Sequence, residues 1–444
     1  MRAALLAAGE GSRLRPYFNG PKPLFPLLGI PLIVRNLLAL KASGINEFII
    51  VTGCYKEELE SYLGDGRKWD LSITYVHNEN WQLGNGSSAL ALKQVVQPDE
   101  KFILLMADHQ FHPQAFKAFL AQADQVDETE VLLAADFRLN EVHDLDECTK
   151  IDADGDVARL LGKGLTTYNA VDCGLFLGTP ALLAALEEAA LRGEYQLTQA
   201  VNRLAEKGRV KLSPVHHFWV DVDDAPSVQV AEKLFLSSLI HEKDGFISRH
   251  INRKFSLAIT RQLAKTSLTP NQVTVFSFLL CVVAAILFAL GLPWAAGLLA
   301  QLSSIMDGVD GELARLKWMQ SAYGELFDSI LDRYADFFLV GGMALWWCLN
   351  TEQLVGALVV SLLALSGQPL SMMIKEKFKN LTGRTFIPER DDGLFHYLPA
   401  NRDGRLFIIM LGGVFNLIPL TLIILAFISH GQTITRLIRL RQQL

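Results

Sequence analysis

The stretch 306-MDGVDGELARLKWMQSAYGELFDSILDR-333 sets four aspartates, Asp307, Asp310, Asp328 and Asp332, inside an otherwise apolar half of the chain. Read as helix, Asp307 and Asp310 share one face, and Asp328 and Asp332, four apart, share a face of the next helix. Carboxylates in apolar surroundings are costly and repel one another, so the pattern calls for a divalent cation or a pair of them. Gly311 and Ala314 keep one surface small enough for a nucleotide to approach the backbone, and Arg315 suits a phosphate. Intramembrane carboxylates also mark ion pathways, but a transporter spreads them through depth. Here they bunch at two helix ends beside an arginine.

Apolar runs surround this stretch at 271–291, 294–314, 322–349, 353–374, 403–417 and 418–438. With about 20 residues needed to cross a bilayer, they predict six transmembrane helices. The expected outer turns, 291–293, 350–353 and 416–419, carry no Lys or Arg. The expected inner segments hold Arg315 and Lys317, then four Lys and Arg between 375 and 384, then Arg436, Arg439 and Arg441. This charge asymmetry predicts a cytoplasmic N-terminus. Between Glu242 and Lys265 the chain is polar and amphipathic, with Arg249, Arg253, Lys254, Arg261 and Lys265 suited to an anionic bilayer surface.

Upstream, AALLAA, NEFIIVTG and KFILLMADH alternate with helical stretches at Leu32–Ser43 and near Ser87–Val96, the pattern of a parallel, doubly wound α/β sheet. The expected division is a cytoplasmic domain at 1–238, an amphipathic linker at 239–268 and an all-α membrane domain at 269–444. At 444 residues the chain exceeds one core. Its net charge of -6 offers no footprint for nucleic acid. Its mean hydropathy of +0.24 is high for a soluble enzyme. The five cysteines form no CxxC pair, which speaks against a zinc site or a disulfide framework. Met1–Ala8 reads as a strand, so no signal peptide is expected.

The first strand runs into Leu6-Ala7-Ala8-Gly9-Glu10-Gly11-Ser12-Arg13-Leu14, followed by Pro21-Lys22-Pro23-Leu24. Glycines after a strand let backbone amides reach phosphate oxygens, and Arg13 and Lys22 supply the charge a triphosphate requires. Asp108, at a strand end, and the run Trp219-Val220-Asp221-Val222-Asp223 offer carboxylates for magnesium. Alternation points Asp221 and Asp223 the same way, so pattern does not choose between them; Asp223 is the preferred ligand.

These residues resemble the nucleotidyltransferases that condense a nucleoside triphosphate with a phosphate monoester, whose LAAGxGxRL and PKPL signatures appear over roughly residues 1–235. The resemblance implies in-line attack on the α-phosphorus and a nucleotide site built from Leu6, Ala7, Ala8, Gly9, Gly11 and Lys22. It also places the stretch Gly84-Asn85-Gly86-Ser87-Ser88 at the base, with Gly84, Asn85 and Ser87 as the expected contacts. Lys163 and Asp172 fall at the acceptor, although they read equally well as a surface lysine and a solvated aspartate. Cys173 stands where the family has threonine in the acceptor loop, and Tyr17–Gly20 lengthen the phosphate loop.

The downstream pattern fits D-x2-D-G-x2-A-R-x8-G-x3-D-x3-D at every fixed position and is similar to the CDP-alcohol phosphotransferase family. That resemblance implies that Asp307, Asp310 and Asp328 bind magnesium and the CDP pyrophosphate, with Gly311, Ala314 and Arg315 at the nucleotide. It implies Asp332 as the general base, itself close to metal. The order of the halves resembles the bifunctional family that joins a CTP:inositol-1-phosphate cytidylyltransferase to a di-inositol-phosphate phosphate synthase. Thr269, Asn271, Arg402 and Arg405 are then expected to line the acceptor pocket. The expected cofactor is Mg2+, with Mn2+ as substitute, and the expected partners are CTP, CDP-alcohol, phosphoalcohols, membrane lipid and a second copy of the chain. A CDP-alcohol phosphotransferase making a lipid headgroup is the alternative.

Overall fold

The run Arg2–Ala7 is apolar on both faces, and it forms strand β1, buried at the centre of the first unit. The computed structural model describes residues 1–240, 247–384, 386–392 and 400–441. Part of the expected linker, 241–246, lies outside the described residues. The chain divides into two units, Met1–Phe235 and Leu236–Leu444.

In the first unit β1 is followed by a short hairpin, β2 (Pro26–Leu27) and β3 (Ile30–Pro31), then α1 (Leu32–Ala42), β4 (Glu47–Thr52), α2 (Lys56–Leu63) and β5 (Ser72–His77). Next come α3 (Asn85–Ala91), β6 (Phe102–Met106), β7 (His109–Phe111), α4 (Pro113–Leu120), β8 (Val131–Asp136), β9 (Lys150–Asp154), β10 (Val157–Gly162) and β11 (Ala170–Gly178). The unit ends with α5 (Pro180–Leu191), α6 (Leu197–Ala205), β12 (Val210–Pro214), β13 (Trp219–Asp221) and α7 (Ala225–Ser237). Nine strands form one sheet in the order β5-β4-β1-β6-β11-β8-β12-β10-β9. The α/β doubly wound class holds, but the sheet is mixed. β5, β4, β1 and β6 are parallel, whereas β11 runs antiparallel to both β6 and β8. Hairpin β9–β10, turning at Gly155 with φ 63°, extends the sheet beyond its parallel half. Alternation of strands and helices cannot reveal such an insertion, because its strands follow one another without a helix between them.

The second unit opens with α8 (Arg253–Leu263), preceded by a π-helical turn at Ser248–Asn252. Then follow α9 (Pro270–Ala289), α10 (Pro293–Leu316), α11 (Ala322–Leu349), α12 (Leu354–Thr382), a short turn α13 (Pro388–Asp391), α14 (Arg402–Val414) and α15 (Ile418–Arg441). Small residues let these helices approach closely: Ala284, Ala296, Ala300 and Ala335 are buried in their common core. Large apolar side chains point outward instead, among them Phe276 and Leu279 on α9, Val355 and Leu362 on α12, and Phe427 on α15. Such an outer face needs a partner other than water. Among the described residues three helices, α9, α12 and α15, are long and apolar enough to cross a membrane. The expected six spans are therefore met by three on these criteria. Helices α10 and α11 carry the motif's charges, and α14 has 13 residues, about 20 Å against the ~30 Å of a bilayer core.

Candidate active sites

The turn after β1 brings two loops together. Gly11 adopts φ 61°, and a Cβ there would collide with Cβ of Lys22. The glycine thus lets the Lys22 segment close onto the phosphate loop. Lys22 is buried, and its Nζ lies 2.6 Å from Asp108 and 3.8 Å from Asp221, with a still closer contact to Asp223. Burial opposes the ammonium charge, but the carboxylates of Asp108, Asp221 and Asp223 outweigh it and hold the pKa above the usual lysine value. Arg13 reaches Asp223 at 3.5 Å and Glu147 at 3.8 Å. An alanine at position 11 is expected to strain the backbone by about 1–2 kcal/mol and push Lys22 aside. Gly11→Ala should lower the unfolding temperature of the first unit and its pyrophosphate release together, as measured by thermal melting and a coupled pyrophosphate assay.

Pairing of β13 with β7 places Asp221 opposite His109, next to Asp108 in the turn after β6. Asp108, His109 and Asp221 each offer one ligand atom, all within 4.8 Å of one another. His109 Nδ1 lies 2.7 Å from the Cys173 carbonyl, and Nε2 lies 3.5 Å from Asp221. Burial lowers its pKa, but Asp221 and then Asp108 push it up to about 10, and the ring, fixed by the Cys173 carbonyl, orients Asp221. Asp221, rather than the preferred Asp223, joins this cluster; Asp223 pairs with Lys22 and Arg13. Hard carboxylate oxygens suit a divalent cation, and Asp221 Oδ1 is buried with no hydrogen-bond partner among the described residues. The residues fit a metal.

A cavity of about 410 Å³ opens beside this cluster, lined by Leu6, Ala8, Gly9, Gly84, Asn85, Asp108, Asp221 and Asp223. Ala7 is buried, its backbone registered against Thr52 of β4. Ser87 does not line the cavity: its hydroxyl donates to the Asn80 and Gly84 carbonyls and accepts from Asn78. Ser88, from the same base-reading stretch, lines it instead, together with Trp81, Gln82 and His109, which no sequence pattern singles out. Asn85 accepts from the Leu197 amide at 2.9 Å, which ties α3 to α6.

A second cavity of about 210 Å³ adjoins the cluster and is lined by Arg13, Lys163 and Asp172 together with His143, Asp144, Glu147 and Cys148. Lys163 pairs with Glu147 at 3.4 Å. Burial pushes the Asp172 carboxyl up to about 6, against the Gly174 amide and His109, which favour its charge. Cys173 is buried within β11 rather than exposed in a loop. The acidic run His143–Cys148 was the available signal for this wall and lies outside every motif.

In the second unit α10 and α11 bring Asp307, Asp328 and Asp332 together, with one oxygen from each within 4.8 Å of the others. Asp310, one turn on from Asp307, accepts from Thr274 Oγ1 of α9 at 2.5 Å. Arg402, at the start of α14, lies 2.7 Å from Asp307, 2.9 Å from Asp332 and 3.4 Å from Asp336. Asp328 Oδ1 is buried without a hydrogen-bond partner among the described residues, and three carboxylates so close suit a divalent cation. A cavity of about 550 Å³ faces these residues, lined by Asn271, Thr274, Asp310, Gly311, Ala314, Arg315, Gly324 and Asp328. Thr269 does not line it; its side chain caps α9 in a capping box with Gln272. Arg405 is buried and spent on Asp336 at 3.1 Å and on the Ala400 carbonyl. Helix capping thus engages Thr269, and charge neutralisation engages Arg405.

Residues 2–236 match the Nucleotidyl transferase family and residues 267–381 match the CDP-alcohol phosphatidyltransferase family. Enzymes of these two kinds generally use divalent metals. A bifunctional IPC transferase and DIPP synthase from Rubrobacter xylanophilus is 34% identical over 99% of this chain and 96% of its own length. One from Archaeoglobus fulgidus is 33% identical over 93% of this chain and 78% of its own length. Among solved structures, the inositol-1-phosphate CTP transferase from T. maritima shares 24% identity and a TM-score of 0.46, covering 52% of this chain and 95% of that one. With two enzyme domains in the same order and nearly full-length identity, this chain belongs to the bifunctional IPC transferase and DIPP synthase family.

Proposed function

We propose that the first unit condenses CTP with inositol 1-phosphate and that the second moves phosphoinositol from the resulting CDP-inositol onto a second inositol 1-phosphate. The observation that carries this reading is the 34% identity to a bifunctional relative over 99% of this chain, a span that includes both carboxylate clusters. In the first step a phosphate oxygen of the monoester bonds to the α-phosphorus of CTP, and the bond to the β,γ-pyrophosphate breaks. Gly9 and Gly11 present backbone amides to the phosphates, and Lys22 and Arg13 balance the charge of the departing pyrophosphate. Gly84, Asn85 and Ser88 frame the base; Lys163 and Asp172 face the acceptor. Asp108 and Asp221, with Asp223 beside them, would hold Mg2+.

In the second step an acceptor hydroxyl bonds to the β-phosphorus of CDP-inositol, and CMP leaves. Asp332 takes the hydroxyl proton. Asp307, Asp328 and Asp310 would hold Mg2+ against the pyrophosphate, while Gly311 and Ala314 leave room for the nucleotide and Arg315 grips a phosphate. Magnesium, replaceable by Mn2+, supplies charge neutralisation at the phosphates in both sites. Asn271 and Arg402 stand nearest the acceptor. The chain is read as a multi-pass membrane protein with both sites facing the cytoplasm and as a homodimer through its membrane unit; the Lys and Arg asymmetry supports the orientation.

The test is to incubate the detergent-purified protein with Mg2+, CTP and inositol 1-phosphate, with pyrophosphate and CMP followed separately. Pyrophosphate, then CMP and a phosphorylated di-inositol phosphate by mass spectrometry, is the expected result. Pyrophosphate without CMP overturns the second acceptor, and neither product overturns the inositol assignment.

A further inference from the structure

Glu312 occupies a variable position of the aspartate motif, two residues after Asp310, and is fully buried. Two residues along a helix is a turn of about 200°, so Glu312 leaves α10 on the face away from Asp310. There Arg253 Nη1 and Ser256 Oγ donate to its Oε1, the serine at 2.6 Å, and Thr260 Oγ1 donates to its Oε2 at 2.6 Å. All three donors come from α8. The polar stripe Asn252, Arg253, Ser256 and Thr260 is buried, while Lys254 and Phe255 on the same helix are exposed. The helix expected to lie on a bilayer surface thus turns its polar stripe inward.

The stripe also extends beyond Glu312. Asn252 donates to Ser304 of α10 at 3.0 Å and to Asp403 of α14 at 3.3 Å, and it accepts from Gln301 at 2.7 Å. Asp403 adjoins Arg402, the residue that reaches Asp307 and Asp332. The π-helical turn and α8, which continues it, therefore brace both α10, which carries Asp307 and Asp310, and α14, which carries Arg402. A buried carboxylate left without its cation is strongly destabilised, so the Arg253–Glu312 pair resists rotation of α10 about its own axis. That rotation is the motion that would move Asp307 away from Asp328 and Asp332.

We infer that Arg253 and Glu312 are positioning residues of the phosphotransfer site, and that α8 is a brace of that site. The inference rests on reading the Asp307–Asp332 cluster as a CDP-alcohol phosphotransferase centre. Arg253→Met strands Glu312 without its cation; Arg253→Met/Glu312→Gln removes both charges and keeps the packing. CMP release from supplied CDP-inositol is measured for parent and variants at saturating Mg2+, with cytidylyl transfer by the same preparations as a control.

The single variant is expected to lose kcat about 10- to 100-fold with little change in KM for CDP-inositol. The double variant is expected to recover to within about threefold of the parent, the non-additivity that coupled neighbours show. Cytidylyl transfer stays at the parent rate in both. An Arg253→Met enzyme with parent kcat, or a double variant no better than the single one, overturns the inference. A parent that releases no CMP from any CDP-alcohol overturns the phosphotransferase reading instead.

Discussion

Asp332→Asn is expected to cut CMP release from a CDP-alcohol by about 10²- to 10⁴-fold, the range general-base catalysis contributes, while pyrophosphate release from CTP continues at the parent rate. Asparagine keeps the size of aspartate, so the helix packing of α11 survives. It also leaves Arg402 its contact with Asp307 at 2.7 Å. What is lost is the oxygen that takes the acceptor's proton. Asp328→Asn separates this role from metal binding: it should raise the Mg2+ concentration needed for half-maximal CMP release, whereas Asp332→Asn should depress the rate at every Mg2+ concentration. Rates restored to Asp332→Asn by excess Mg2+ would make Asp332 a ligand and nothing more.

Both sites could be read in sequence to the extent that their residues sit at fixed spacing on one element. Asp307 and Asp310 lie on one helix, Asp328 and Asp332 on the next, and helical geometry alone predicts which faces they share. Arg402 enters the same cluster from α14, far along the chain, and the resemblance rather than the spacing drew attention to it. Glu312 was invisible for the opposite reason. The motif treats its position as free, and of its partners Arg253 reads as one of the basic residues of a helix on a bilayer surface, while Ser256 and Thr260 carry no signal of their own.

In the first unit, glycine turns and strand ends announced Gly9, Gly11, Lys22 and Asp108. His109 went unread because its importance comes from β7–β13 pairing, a contact between segments a hundred residues apart in the chain. The base-reading stretch Gly84–Ser88 holds two adjacent serines, and only the fold decides that Ser88 faces the cavity while Ser87 closes a turn with Asn80 and Gly84.

Asp108→Ala is expected to reverse the first result, with pyrophosphate release falling about 100-fold or more and CMP release from supplied CDP-inositol unchanged. Lys22 would keep Asp223 and Asp221 as counter-charges, so its loop should hold its place and the loss should reflect the missing carboxylate rather than a collapsed site. The two variants can then be mixed. If CDP-alcohol leaves one polypeptide and diffuses to another, Asp108→Ala and Asp332→Asn together make the final product after a lag that shortens as protein concentration rises. If the tether holds the intermediate at high effective concentration, the mixture falls well below the parent at low protein concentration and approaches it only when CDP-inositol is supplied from outside. Time courses of CMP release at several protein concentrations distinguish the two cases, because only the diffusing intermediate gives a lag that depends on dilution.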